Sequence, residues 1–543
     1  MITALNIITD GPSWVNGLSW ADIFIIVIYF IFIVFLGVKY SKSKDEKSYF
    51  LAGRGMTWPV IGFSLFAASI SSSTLIGQAG DAYSTGIAVF NYNFISVVVM
   101  IFFAWFILPF YIKSKIFTIP EFLEKRFNAA SRYYFSAITI IVNIFLDAAG
   151  SLYAAAMVMK LVFPEASIFT LSVIFAIVVA AYTIPGGLSA AIRVDLMQGI
   201  FLLVGSVVLT FYATFNGGAE YVKQLLSDGD KLMELVRPMD DASVPWLGMI
   251  VGIPILGLFF WGNNQQLVQR VLTAKSIDEG RKGVLLVGLL TLLTLFLIII
   301  PGVMAIDLFP GLPKPDMVYP HLIMNLLPNV LIGFMLAAMV AALTSSLSGL
   351  LNSVATLFTM DFYNKINPQS SSKTKVRVGK MASITVLIIA VFWAPQIGKQ
   401  FGTLLKYYQE MLSMMAPPIV AAFILGIFWK RTNATGAFSG LIAGIILGVA
   451  NIIATVNTGH SIFGEMHFLL TVPFYFVWSM LVMIVVSLLT KKPPLEKTDQ
   501  LTFSMQEFKE ETLRLKEQSL LKNYRFWSYL LLAFSFIILI LFW

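Results

Sequence analysis

The chain gathers its polar atoms into a few short strings set inside long apolar runs. Ser69, Ser71, Ser72, Ser73 and Thr74 place five hydroxyls within six positions. Thr344, Ser345, Ser346 and Ser348 repeat the pattern later in the chain. A third string, Gly262-Asn263-Asn264-Gln265-Gln266, closes the apolar stretch that ends in Phe259-Phe260-Trp261. A polar side chain in lipid costs free energy unless it faces a partner or a cavity. A single Ser or Thr back-bonds to its own helix or lets helices pack closely. A run of hydroxyls does something else: it satisfies backbone groups where a helix unwinds. Freed carbonyls and facing hydroxyls then form an oxygen-only ligand set, which suits a hard cation such as Na⁺ near the bilayer midplane. The two hydroxyl strings are therefore expected to be halves of one sodium site.

Asp147 stands alone in the middle of Ile144-Phe145-Leu146-Asp147-Ala148-Ala149-Gly150-Ser151. A carboxylate at that depth would repel an anionic solute and suit hydroxyls or an amine. The alternative is a protonated Asp bonded to a neighbouring helix. Other chemistries lack their parts. The three histidines, His321, His460 and His467, are scattered, and no HExxH, GxSxG or GxxxxGK string occurs. The chain is not expected to be an enzyme or an ATP-driven pump. A channel filter or charged ring is also missing. With no cysteine there are neither disulfides nor thiolate metal sites.

The elements that must position these groups are membrane helices. Hydrophobic residues make up 58% of the 543 and charged residues 12%, with a mean hydropathy of +0.83. Such a chain cannot cover soluble domains with polar surface, and a transmembrane barrel would alternate too many polar residues. The expected class is an all-α polytopic membrane protein. Runs of about 20 apolar residues suffice to span. Fourteen are expected, at 21–38, 59–80, 89–112, 135–159, 167–185, 195–214, 245–263, 284–306, 327–358, 381–397, 403–429, 435–455, 468–490 and 526–543. The first has no basic flank or small-residue cleavage site, so it is not read as a signal peptide. Most of the 37 basic residues fall in alternate loops, including 39–54, 113–132, 270–282, 359–380 and 491–525. By the positive-inside rule those loops face the cytoplasm, and both termini lie outside, in a cell (inner) membrane. That placement also accounts for the net charge of +8 without a nucleic-acid partner. The loop 215–244 falls outside. Residues 491–525 read as an amphipathic helix on the membrane surface, with Phe508, Leu513, Leu515 and Leu520 among charges.

Several collinear strings carry a resemblance. They are Ser48-Tyr49-Phe50-Leu51-Ala52-Gly53-Arg54, residues 118–127 (TIPEFLEKRF), Pro185-Gly186-Gly187-Leu188-Ser189-Ala190, residues 269–276 (QRVLTAKS), Ser345-Ser346-Leu347 through Leu351-Asn352-Ser353, and Gly426-Ile427-Phe428-Trp429-Lys430-Arg431. The chain resembles the sodium:solute symporter family, in its sodium/sugar branch, from about Phe24 to the last span. The resemblance implies a LeuT-type fold in a single transporter domain. Two five-helix repeats of inverted topology, about 59–214 and 245–429, each open with a broken helix, and extra helices lie at 21–38, 435–455, 468–490 and 526–543.

The resemblance also implies a sodium site: carbonyls of Ala67, Ile70 and Ala342 with hydroxyls of Ser345 and Ser346. Asp195 matches an acidic residue on the sodium exit route, with a salt bridge to Arg193 or another loop residue as the alternative. The solute positions match less well. Asn93 stands where sugar carriers have a Glu. Ser69 and Thr74 replace longer amides, Thr291 replaces a Lys, and Phe260 replaces an inner-gate Tyr. Ser96 and Gln409 fit the sugar pattern, and Tyr92 fits an outer gate. Asp147 and Gln409 are expected to face one cavity and select the solute. The expected function is sodium-coupled import of a small polar solute, a sugar or polyol. The alternatives are an amino acid or amine symporter, or a membrane-embedded sensor that kept the fold and lost transport.

Overall fold

Long apolar runs fold as helices because lipid offers their backbone groups no partners except one another. The computed structural model describes residues 17–40, 45–70, 73–312, 314–400, 404–458 and 460–543, with side chains at all of these except 73, 161, 398–400, 404–410 and 456. Among them twelve helices are long and apolar enough to cross a membrane. Among the described residues no β-structure forms beyond isolated bridges such as Met56 with Ala274.

The helices used below are α1 (Trp20–Lys39), α2 (Trp58–Ser69), α3 (Asn91–Phe102), α4 (Ile168–Ala213), α5 (Gln265–Val271), α6 (Ile277–Thr294), α7 (Leu331–Leu357) and α8 (Met505–Lys516). One of them carries the break expected in its span, and one differs from the expected spans. The run 59–80 is not one helix: α2 stops at Ser69, and Ile70 adopts φ −77°, ψ 81°. The chain resumes at Ser73–Gln78 and turns at Gly86, where φ is +79° and a side chain would strike the Leu232 carbonyl. The runs 167–185 and 195–214 join into α4, 46 residues long. At 1.5 Å per residue that is about 70 Å, more than twice a hydrocarbon core. The helix changes direction at Gly187, with φ 57° and ψ −152° after Pro185. Only glycine accepts this turn, because an added Cβ would meet the Tyr49 carbonyl at 2.6 Å.

At the centre lies α7, buried along nearly its whole length. Its N-terminus is tied to α1 by one side chain. Asp22 completes the capping box with Ser19 at the start of α1, and its Oδ1 accepts the backbone N–H of Val330 at 2.8 Å and of Gly333 at 2.7 Å. A carboxylate here satisfies orphan donors of two helices at once.

In the segment 491–525, helix α8 docks on the helix bundle. Glu507 pairs with Lys113 at 2.8 Å and Glu511 with Arg281 at 2.5 Å. Phe508 stacks on Phe106, with ring centroids 5.5 Å apart. Leu515 turns inward, while Leu513 and Leu520 stay exposed.

Candidate solute cavity and cation site

The break in α2 and a second break at Asn264 (φ −69°, ψ 117°) face one another across a cavity of about 100 Å³. Thr74 repairs part of the first break: its Oγ1 donates to the Ser69 carbonyl at 3.1 Å. The cavity draws Ser69, Ile70, Thr74 and Gln78 from the broken segment and Tyr92, Asn93 and Ser96 from the start of α3. Gly257, Phe260 and Trp261 come from the second broken segment, and Thr291 and Thr294 from α6. Seven expected residues thus meet in one lining: Ser69, Thr74, Tyr92, Asn93, Ser96, Phe260 and Thr291.

Besides the apolar Ile253, Leu256 and Leu412, three lining residues with polar groups were missed. Gln78 follows Thr74 by four positions and Thr294 follows Thr291 by three, the spacing of one helical face. That periodicity was the available signal. Trp261 carried none beyond its place beside Phe260. Its indole N–H is buried and meets no acceptor among the described residues. Asp147 is not brought to this lining. It lies half-buried on the turn Asn143–Ala148. The side chain of Gln409 lies outside the described residues.

Tyr92 also borders a larger vestibule of about 660 Å³, lined among others by Asp81, His467 and Tyr475. One aromatic ring therefore stands between the inner cavity and the vestibule.

The end of α2 meets the α7 hydroxyls expected to bind the cation. Ser346 Oγ donates to the Ala68 carbonyl at 3.1 Å, so the C-terminal turn of α2, which holds Ala67, faces the α7 hydroxyls. Ser345 Oγ donates to Asp195 Oδ1 at 2.6 Å. The other carboxylate oxygen accepts Ser64 Oγ at 2.9 Å and Arg270 Nη2 at 2.8 Å. Arg270 also donates to the Gln266 carbonyl, and Gln266 Nε2 to the Ser346 carbonyl at 3.1 Å. Asp195 and Arg270 are both fully buried. The salt-bridge partner of Asp195 is thus Arg270, while Arg193 bonds the Ser189 carbonyl. Four helices, α2, α4, α5 and α7, close on one another below the hydroxyls. Carbonyl and hydroxyl oxygens without a full charge at the site itself suit a monovalent hard cation.

The remaining strings seal the same end of the molecule. Met56 exchanges backbone hydrogen bonds with Thr273 (2.9 Å) and Lys275 (3.1 Å). Gln269 Nε2 reaches the Phe50 carbonyl at 2.7 Å, and Gln265 Oε1 accepts the Ile119 N–H at 2.8 Å. Asp361 gathers Thr118 (2.7 Å) and Arg132 (2.6 Å). Arg126 donates to the Gly426 carbonyl at 2.7 Å.

Comparison with known proteins agrees with this geometry. A family model described as the sodium:solute symporter family matches residues 49–444. Sodium/glucose cotransporter 1 of Oryctolagus cuniculus is 33% identical, over 91% of this chain and 83% of its own length. Sodium/myo-inositol cotransporter 2 of Homo sapiens is 33% identical, over 81% and 70%. Among solved structures, a substrate-bound, outward-open Na⁺-coupled sialic acid symporter superposes with a TM-score of 0.76. It is 22% identical and covers 88% of this chain and 99% of that one. A nucleobase-cation-symport-1 family transporter shares the fold at a TM-score of 0.54 and 13% identity, over 82% and 94% of the two chains.

Proposed function

The chain belongs to the sodium:solute symporter family, and from that premise we propose that it couples Na⁺ entry to uptake of a neutral sugar or polyol. One observation carries the choice of solute. The described lining of the cavity contains hydroxyls, amides, an indole and apolar groups, but no charged side chain. Burying a charged solute there without a counter-charge costs several kcal/mol or more. A polyhydroxylated solute instead finds donors and acceptors on every side. The relatives named for glucose and myo-inositol support the same class. An amine or amino acid would need a carboxylate in the wall, and Asp147 stands off the described lining.

Coupling follows from a shared segment. Ala67 and Ile70 are assigned to the cation site, and Ser69, Ile70, Thr74 and Gln78 line the solute cavity. Na⁺ bound to carbonyls at the α2 break and to Ser345 and Ser346 would hold that segment in its solute-binding shape. Each ligand then favours the other, with a typical coupling of about 1–3 kcal/mol. Release inward requires parting the Asp195–Arg270 pair and the layer around Asp361. Release outward requires that Tyr92 move.

The finer architecture belongs to the same reading. Counting α2 with Ser73–Thr85 as one broken span, and α4 as two spans about Gly187, gives fourteen crossings, both termini outside the cytoplasm of a cell (inner) membrane, and two inverted five-helix repeats. Thermal-shift binding of the purified protein tests the solute class. Neutral hexoses and polyols should stabilise it in Na⁺ and not in choline. Na⁺-dependent stabilisation by amines, amino acids or carboxylates alone would overturn it.

A further inference from the structure

Three side chains on one wall of the cavity form a chain of hydrogen bonds with a single direction. Thr294 Oγ1 lies 2.6 Å from the Thr291 carbonyl. A carbonyl can only accept, so the one hydroxyl proton of Thr294 is spent there. Thr294 must then accept from Asn93, whose Nδ2 lies at 2.8 Å. This fixes which end of the Asn93 amide is nitrogen, a choice that is otherwise ambiguous. Asn93 Oδ1 consequently faces Gln78 Nε2 at 3.2 Å, and Asn93 Nδ2 faces Gln78 Oε1 at 3.0 Å. One backbone carbonyl therefore sets the orientation of both amides.

The donors and acceptors can then be counted. Both protons of Asn93 Nδ2 are committed, to Thr294 and to Gln78. Gln78 Nε2 has spent one proton and keeps one. Each amide oxygen keeps a lone pair. Gln78 is buried and Asn93 half-buried, and both line the cavity. The wall thus offers one N–H donor beside two carbonyl acceptors, with no charge.

We propose that Gln78 and Asn93, held in one orientation by Thr294, select a solute carrying two adjacent hydroxyls. One hydroxyl accepts the Gln78 N–H, and each donates to one amide oxygen. A carboxylate would meet two acceptors it cannot satisfy, and an ammonium would find no counter-charge. A carboxylate side chain at position 93 would bind hydroxyls more strongly but could not exchange two bonds with Gln78. The inference rests on the neutral-solute reading above and goes further, naming the group recognised and the residues that recognise it. Gln78 and Asn93 bind; Thr294 is a positioning residue.

The test uses purified protein in proteoliposomes, with D-glucose, myo-inositol and singly deoxygenated glucoses as probes in saturating Na⁺. Wild type should bind glucose or inositol, and removing one hydroxyl of the recognised pair should weaken affinity about three- to tenfold. Gln78→Leu and Thr294→Val should each lose affinity for the parent solute by a similar factor. They should also lose the discrimination against the deoxy compound, while the residual signal still requires Na⁺. Thr294→Ser keeps the hydroxyl and should restore discrimination, which a merely structural role would not predict. If Gln78→Leu does not fold, the Val and Ser variants of Thr294 decide alone. Unaltered deoxy discrimination in Thr294→Val, with wild type binding the parent, overturns this proposal and leaves the neutral-solute reading standing. Failure of wild type to bind any neutral probe overturns both.

Discussion

Ser345 donates its hydroxyl proton to Asp195 Oδ1 at 2.6 Å, and both side chains are wholly buried. A hydroxyl committed in this way presents only lone pairs on its other side. In the proposed cation site this leaves Ser345 to act as an oxygen ligand, while the second Asp195 oxygen pairs with Arg270 at 2.8 Å. The carboxylate would then join the proposed cation site to the closure around Arg270.

Asp195→Asn should do two things. Arg270 loses its counter-charge in a buried setting, which costs about 3–5 kcal/mol. Ser345 loses its strongest acceptor, so apparent Na⁺ affinity falls about 10- to 100-fold, as for other groups that orient a metal ligand. The double variant Asp195→Asn/Arg270→Met should regain much of the stability and little of the Na⁺ affinity. Thermal unfolding and Na⁺ titration of uptake separate the two effects. Equal loss of stability in single and double variants would show that the ion pair is not what matters.

Ser345→Ala and Ser346→Ala test the cation site itself. Each removes one proposed ligand with little change in helix packing. The Na⁺ concentration for half-maximal uptake should rise at least about tenfold in each, with insertion intact. Wild-type Na⁺ dependence in the double variant would remove the site from α7.

Asp22→Ala strands the N–H groups of Val330 and Gly333 that Asp22 now satisfies. At about 1–3 kcal/mol per buried unpaired group, the cost should be about 3 kcal/mol or more. Asp22→Asn keeps one acceptor and should lose less. Thermal melts of the purified variants give the order. No change in either would mean that α7 is capped some other way.

The docking of α8 should depend on pH in one direction. Burial alone would raise the Glu511 carboxyl, but its hydrogen bonds and charge pairing with Arg281, with Arg525 and Tyr524 beside it, hold it below the ordinary carboxylate value. A depressed folded value contributes stability above the unfolded value, about 4.3 for a Glu. That contribution is lost as pH falls through the folded value. Protease cleavage within 491–525 should therefore stay slow at neutral pH and rise only in strong acid. In Glu511→Gln it should already be fast at pH 7. Equal cleavage of both proteins at pH 7 would refute the clamp.

Topology can be read with single cysteines, because the native chain has none. Positions in 113–132 and 359–380 should label only from the cytoplasm, and positions in 215–244 only from outside. Cytoplasmic labelling of 215–244 would break the fourteen-span count.

Membrane class, the helices and the places where they break were legible in the sequence, because lipid leaves a chain few options. An apolar run must be a helix, and hydroxyls in its middle mark where backbone groups need other partners. The strings Ser69–Thr74 and Gly262–Gln266 showed both breaks for that reason. Most of the lining followed from the same strings and from the family resemblance. What the chain alone could not decide were contacts between residues far apart in it. Asp195 has Arg193 two positions away, yet its partner is Arg270, because residues two apart on a helix point to opposite sides, while Arg270 reaches Asp195 from α5, which packs on α2 and α7. Asp147 was singled out by its depth in the span, and depth alone does not say which residues line a cavity. Only the packing turns Asn143–Ala148 off the described cavity and brings Gln78, Asn93 and Thr294, from three separate segments, onto one wall.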